Sequence, residues 1–453
     1  MISLVKKEHT IKTKFIFLVL YSLSISTYLQ AQIAKDSINN SNWNFHFQNT
    51  VIYQYHPSFR AKYSGVNSLN HDAEGPTSIT ATLYFGVKLW KGATAFFNPE
   101  ISGGSGFSET RGIAGFPNGE VYRVTDAKPK IYSARLFLKQ VFSLSDKYEL
   151  VEDGINQLPI YMPTSYFAVS AGKFSIMDFF DNNKFCHDPR TQFFNWALMG
   201  NAAWDYPANT RGYAYGIVTE LVKPHWALRF SSVMVPTTAN GAIMDKNILH
   251  SRSEALEFEH KYTIGNQSGT IRLMTFLTEA RMGNYRKALE WGEAHHTAPV
   301  IDSTNVLGRT KYGFGLNIEH KFSNDLGLFF RASWNDGHNE TWVFTEIDRA
   351  ISAGLQLNGN FWNRNYDKIG LALLANGLSN EHRDYLKAGG YGFIIGDGNL
   401  NYQPEIITEL YYSYKLKDYP LWISPDYQFI INPAYNKDRG PVHTIGIRAH
   451  IEI

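Results

Sequence analysis

The sequence predicts an all-β fold: a transmembrane antiparallel β-barrel of about sixteen strands, with short turns at one end and long loops, some folded into the lumen, at the other. Three observations carry this. Ile445, Ile447, Ala449, Ile451 and Ile453 alternate with Thr444, Gly446, Arg448, His450 and Glu452, a period of two that gives a strand one apolar and one polar face. The connections between such segments alternate between short and long, which a soluble sandwich has no reason to do. The chain also opens with an export signal, so the apolar face meets lipid and the polar face meets water.

That signal occupies residues 1–31. Lys6, Lys7, Lys12 and Lys14 form a basic leader, residues 15–25 a short apolar stretch, and Ala31-Gln32 the expected cleavage point. The apolar stretch is too short for a helical span, and no later segment supplies the roughly 18 apolar residues that one needs. No Cys follows it to carry a lipid anchor. Residues 32–42 read as a short periplasmic segment and 43–453 as one barrel domain in the outer membrane of a Gram-negative bacterium.

Composition agrees. Mean hydropathy is −0.28, as expected where half of each strand faces water. The 27 Tyr and 30 Phe exceed the needs of a soluble core and suit aromatic girdles at two interfaces. Formal charge is +2; the leader's four Lys and one Glu contribute +3, which leaves −1 and no attraction to nucleic acid. The single Cys186 excludes an intrachain disulfide and a Cys-based zinc site.

Along the barrel, residues 43–55 put Trp43, Phe45, Phe47, Val51, Tyr53 and Tyr55 on one face. Residues 79–89, 312–322 and 421–431 repeat the pattern, the second with Tyr312, Phe314, Leu316, Ile318 and Phe322 outward and Lys311, Gly313, Gly315, Asn317, Glu319 and Lys321 inward. Short connections fall at 91–92, 223–224, 323–325 and 417–420, and long ones at 57–75, 103–128, 175–210, 281–309 and 377–403. Residues 143–165 break the rule, being long yet on the short-turn side.

Parity then assigns the lumen. Arg135 and Lys139 face inward on the strand where Tyr132, Ala134, Leu136 and Leu138 face lipid. Arg229, Arg272 and Arg331 face inward on theirs, and Glu220, Glu257, Glu259, Glu405 and Glu409 share that side. A charge on the lipid face at mid-bilayer costs about 2–4 kcal/mol, so the inward assignment is the cheap one. Such charges solvate the lumen and pair with one another, or form a ring of guanidinium forks and carboxylates at a constriction. Mixed charge suits a neutral polyol better than an anion, which favours a ring of one sign.

Several motifs run in order along the chain: Phe97-Asn98-Pro99-Glu100, Gly172-Lys173-Phe174, Asp188-Pro189-Arg190-Thr191-Gln192-Phe193, Asn195-Trp196, Trp204-Asp205-Tyr206-Pro207 and Arg211-Gly212-Tyr213. Further on come Phe344-Thr345-Glu346-Ile347-Asp348-Arg349, Gly389-Gly390-Tyr391-Gly392-Phe393, Gly396-Asp397-Gly398 and Asn432-Pro433-Ala434-Tyr435-Asn436. From about Phe97 to the end the chain resembles the carbohydrate-selective porin (OprB) family. The resemblance implies a sixteen-stranded channel that passes monosaccharides through an eyelet narrowed by inward loops and lined by charge, Arg prominent. It adds Glu346 and Asp348 to the lining. It also makes 175–210 the constriction loop, with Asp188, Arg190, Gln192, Asn195, Trp196, Trp204 and Asp205 on it and Arg211 directly after it. The chain departs from the pattern in ending on Ile453 rather than an aromatic residue, and in loops 143–165 and 291–307.

Other chemistry finds little footing. Gly103-Gly104-Ser105-Gly106 is not a nucleophile elbow, and Gly390-Tyr391-Gly392 lacks a third glycine and a helix. His295-His296 are adjacent and share no helix face. Asp181-Asn182-Asn183 and Asp397 could meet Ca²⁺ but fit turn formation better, so no cofactor or metal is expected. Trp196, Trp204 and Trp342 either stack on sugars or pin loops. The expected partners are small sugars, outer-membrane lipid and the barrel-assembly machinery, with monomer or trimer open. The alternatives are a general or anion-preferring porin, and then a barrel-borne enzyme or adhesin, which would need a rim cluster or far-reaching loops.

Overall fold

The computed structural model of the 453-residue chain describes residues 42–122 and 127–453. The expected leader, its Ala31 cleavage point and nearly all of 32–42 lie outside the described residues. Eighteen strands are present among them. In chain order they are β1 (Trp43–Tyr55), β2 (Thr77–Trp90), β3 (Ala93–Gly104), β4 (Lys130–Ser143), β5 (Tyr148–Val151), β6 (Ile160–Pro163), β7 (Tyr166–Phe174), β8 (Ala214–Val222) and β9 (Trp226–Met234). They continue with β10 (Arg252–Ile264), β11 (Gln267–Met282), β12 (Val306–Lys321), β13 (Leu326–Asn335), β14 (Arg349–Asn358), β15 (Lys368–Gly377), β16 (Glu405–Lys415), β17 (Leu421–Ile431) and β18 (Val442–Glu452).

All but β5 and β6 form one closed antiparallel barrel, each strand pairing with its neighbours and β18 returning to β1. Closure runs from Gln48 opposite Glu452 to Tyr55 opposite Ile445, and the Phe47 N–H donates to the Ile453 carbonyl at 2.8 Å. Closing the sheet satisfies every edge, the condition for crossing hydrocarbon. On β12 the two faces separate as the sequence requires: Tyr312 and Phe314 are about half exposed outward, whereas Lys311, Gly313, Gly315, Asn317 and Glu319 are buried inward.

One parity assignment is overturned. Pro99 on β3 has no N–H for the ladder, and the register slips there: Asn98 opposes Arg135, but Pro99 opposes Ser133. The resulting bulge at Ala134 reverses the facing of β4 above it. Tyr132, expected toward lipid, therefore faces in and binds Glu100, while Ile131 faces out.

The lumen is filled from the long-loop end, and its core is made of loop side chains packed against inward strand faces. One apolar cluster gathers Phe107, Phe116, Phe193, Phe194, Ile394 and Tyr435, and another Phe174, Phe180, Trp204, Trp342 and Phe344. Two segments read as plain loop hold helices, α1 (Tyr285–His295) and α2 (Asn380–Lys387). Asn284 caps the first by accepting from Lys287 N–H at 3.0 Å, and Ser379 caps the second by accepting from His382 N–H at 3.1 Å. The exceptional segment 143–165 is the hairpin β5–β6, which pairs only with itself.

Candidate functional site

The long connection between β7 and β8, residues 175–213, descends through the barrel and is held by strand side chains. Asp181 is a buried anchor: its carboxylate accepts from Asn317 Nδ2 at 2.6 Å and Arg331 Nε at 3.3 Å, and its N–H donates to Glu257 at 2.7 Å. Lys184 N–H donates to Glu319 at 2.7 Å, and Phe185 packs over Gly327, where a Cβ would collide with its ring. Higher up, Glu409 accepts from the N–H groups of Phe194 and Asn195 at 2.5 and 3.0 Å. Arg448 donates to the carbonyls of Pro189 and Gln192, both at 2.7 Å. Each such bond satisfies a backbone group that the water-poor interior leaves unpaired.

Arg190 lies at the centre of this loop and reaches one wall of the barrel. Its Nε donates to Glu120 at 2.9 Å; the other guanidinium nitrogens meet Tyr84 Oη at 2.9 Å, Gln48 Oε1 at 3.2 Å and Glu100 at 3.2 Å. Glu100 also accepts from Thr82 Oγ1 at 2.6 Å, from Tyr213 Oη at 3.0 Å and from Tyr132. Burial pushes the Glu120 carboxyl up despite Arg190, whereas Arg190 is driven further up by Glu120, Tyr84 and Glu100 once they outweigh its own burial. Close by, Arg135 forks onto Asp178 at 2.6 and 2.7 Å. Arg211 donates to Ser102 Oγ at 2.7 Å and lies 4.3 Å over the Tyr132 ring; among the described residues it has no carboxylate partner.

A second cluster lies lower, on β4 and β8–β12. Lys139 binds Glu220 at 3.0 Å, and Arg229 meets Glu220, Glu257 and Glu259 at 3.4, 3.0 and 3.1 Å. Arg272 continues the chain to Glu259 at 2.9 Å and Glu319 at 3.5 Å.

Two cavities follow these clusters. The first, about 570 Å³, is bordered by Arg135, Lys139, Arg190, Arg211, Arg229, Glu120, Asp178, Asp188 and Glu220 among tyrosines 84, 122, 206 and 213 and Trp196. The second, about 800 Å³, opens toward the short-turn end and is bordered by Arg229, Glu259, Lys261, Arg272, Glu319 and Lys321. Asn182 and Arg229 border both, so the two cavities approach each other at the descending loop and β9.

The site residues expected from the sequence thus divide. Arg135, Lys139, Glu220, Arg229, Asp188, Arg190, Trp196 and Arg211 border the first cavity, and Glu259 and Arg272 the second. Arg331, Glu405, Glu409 and Asp348 face inward but lie buried against loops and border neither cavity. Glu405 accepts from the N–H groups of Ala114, Gly115 and Ala434, and Asp348 from Ser379 N–H and His382. Glu346 accepts from Ile394 and Ile395 N–H and borders a separate cavity of about 430 Å³ with Glu340, Trp342 and Tyr385 at the long-loop end.

On the descending loop, Gln192, Asn195, Trp204 and Asp205 are likewise loop fasteners. Asn195 bonds Gly115 O and Gln428, both at 2.9 Å, and Asp205 accepts from Trp342 and Val343 N–H, both at 2.7 Å. Gln192 accepts from His187 N–H at 2.5 Å, and Trp204 packs edge-on against Tyr206 and tilted against Phe180. Trp342 donates to Pro236 O at 2.9 Å, so of the three tryptophans only Trp196 borders the first cavity.

Glu319, expected inside from the period on 312–322, borders the second cavity, whereas residues missed by sequence reasoning include Gln48, Tyr84, Glu100 and Tyr132. Parity on β1–β3 could have supplied the first three, and the mid-strand Pro99 was the signal for Tyr132. Glu120 and Asp178 sit on loops, where no period exists to place them. Asp181 and Asp397, weighed for Ca²⁺, spend their oxygens on Asn201, Asn317 and Arg331, and on Tyr63 and Asn436. Among the described residues no group of three or more His, Cys, Asp or Glu could hold a metal.

The family model for the carbohydrate-selective porin, OprB family, matches residues 67–453. No curated protein matches the sequence. The high-pH structure of Pseudomonas putida OprB is similar at a TM-score of 0.69 and 14% identity, over 91% of this chain and 94% of that one. The low-pH structure of the same protein gives 0.49 and 13%, over 91% and 93%. The outer membrane channel DcaP of Acinetobacter baumannii gives 0.49 and 11%, over 91% and 97%.

Proposed function

The chain belongs to the carbohydrate-selective porin, OprB family, an outer-membrane channel family, and from that premise we propose that it passes small neutral sugars, monosaccharides such as glucose, by passive diffusion. No energy source or cofactor enters: flux follows the gradient, and no chemical step is needed. The observation that supports this reading is the pairing along the first cavity. Nearly every cation there already faces a carboxylate, as Arg135 does Asp178, Lys139 does Glu220 and Arg190 does Glu120. Paired forks and carboxylates offer donors and acceptors to hydroxyl groups without a strong field of one sign. The tyrosines between them offer flat faces to sugar rings.

In this reading Arg211 is the principal free donor and Trp196 the principal stacking face. Leader removal near Ala31, insertion by the barrel-assembly machinery and a barrel domain spanning 43–453 belong to the same proposal. The test is ion current through single channels in a planar bilayer. Glucose on one side should reduce the current in a saturating manner, and reversal potentials in a KCl gradient should stay near zero. Strong anion preference with no effect of glucose would favour the general or anion-preferring channel instead.

A further inference from the structure

The hairpin β5–β6 does not hang free below the barrel. Its tip, residues 153–158, turns back into the short-turn mouth and is seated there. Asn44 on β1 donates to Asp153 Oδ1 at 2.7 Å, to the Gly154 carbonyl at 3.3 Å and to the Gln157 carbonyl at 2.8 Å. His46 Nε2 lies 3.3 Å from the other Asp153 oxygen. Leu158 is fully buried and joins Phe96 and Phe137 in the lumen cluster. The seat is cut to fit: a Cβ on Gly86 would lie 2.9 Å from Leu158 and 2.3 Å from the Asn44 side chain.

Ile155, Asn156 and Gln157 consequently border the first cavity, opposite the loop that descends from the other end. Asn156 holds a left-handed backbone, φ 53°, and its enclosed side-chain oxygen has no hydrogen-bond partner among the described residues.

We infer that the tip of this hairpin is a second selectivity constriction, built from the periplasmic side, in which Asn156 and its neighbours Ile155 and Gln157 contact the passing solute. The inference goes beyond the choice of solute: it concerns pore width, and ion current reads it whether or not sugars are preferred.

The test is single-channel conductance of the full chain with three changes. Replacing residues 146–163 by a two-residue turn removes the tip and should raise conductance about twofold, because width at a constriction governs flow. G86L fills the seat, displaces the tip without shortening the chain and should raise conductance likewise. N156C provides a thiol for a bulky charged methanethiosulfonate reagent, which should cut the current by about half once it lies in the path. Cys186 does not confuse the labelling, since it is fully buried and burial pushes its thiol up to about 12. Unchanged conductance in the shortened or G86L channel, or labelled N156C conducting like the unlabelled protein, overturns the inference. A G86L channel that is less stable but equally conductive would make the hairpin a structural clip only.

Discussion

Arg190 and Arg211 lie on one loop and border one cavity, yet their substitutions should behave in opposite ways. Arg190 neutralises Glu100 and Glu120, both buried. Arg190→Ala strands these charges, and breaking a buried pair costs about 3–5 kcal/mol. The expected outcome is release of residues 188–192, read as faster hydrogen exchange there, and protection equal to wild type would count against the network. Arg211 leaves no buried carboxylate behind, so Arg211→Ala should stay within about 1 kcal/mol of wild-type stability. It should instead lower the ratio of glucose to amino-acid flux, and an unaltered ratio would remove Arg211 from the solute path. Inward facing of these positions was legible where strand period operates, as for Arg135, Arg229 and Arg272. It failed at Tyr132 because a proline-induced bulge inserts one residue, and a period of two has no memory across an insertion.

Among the elements, the loops decide the lumen, and loops carry no period. Parity placed Glu405, Glu409 and Arg331 inward but could not tell a channel wall from a loop fastener. That distinction depends on which backbone N–H or carbonyl arrives from a segment far along the chain. Ala114 meets Glu405 across 291 residues, and Phe194 meets Glu409 across 215. Asp181→Ala should therefore unseat the descending loop by leaving Arg331 buried and unpaired; trypsin should then cut within residues 182–190, and resistance equal to wild type would show that the anchor is dispensable.

The contact between the 283–305 and 336–348 connections should depend on pH. Glu340 accepts from Gly283 N–H at 2.9 Å, and burial, with Asp302 and Glu346 nearby, pushes its carboxyl up to about 8 from an ordinary 4.5. The folded state thus binds the proton more tightly than the released loop does. Stability from this group is full below about pH 4.5 and is lost as pH rises toward 8. Protease cleavage in 283–305 should accelerate across that window in wild type but not in Glu340→Gln; parallel pH profiles would refute the linkage.

For the molecule as a whole, the barrel was the most legible feature. Strand period and loop-length alternation are repeated around the ring, so errors of a residue or two at strand ends do not alter the closed topology. The two capped helices and the inward hairpin tip were not legible, since each is a short irregular insert whose partner lies on a distant strand. The proposal that a paired-charge, loop-narrowed lumen passes small neutral sugars stands or falls on solute flux. Liposome swelling with purified protein tests it most directly, comparing glucose, a disaccharide and an amino acid of glucose-like size. Fast glucose entry with a steep fall for the other two is the predicted result; equal rates for all three would contradict sugar selectivity, and no swelling would contradict an open path through the barrel.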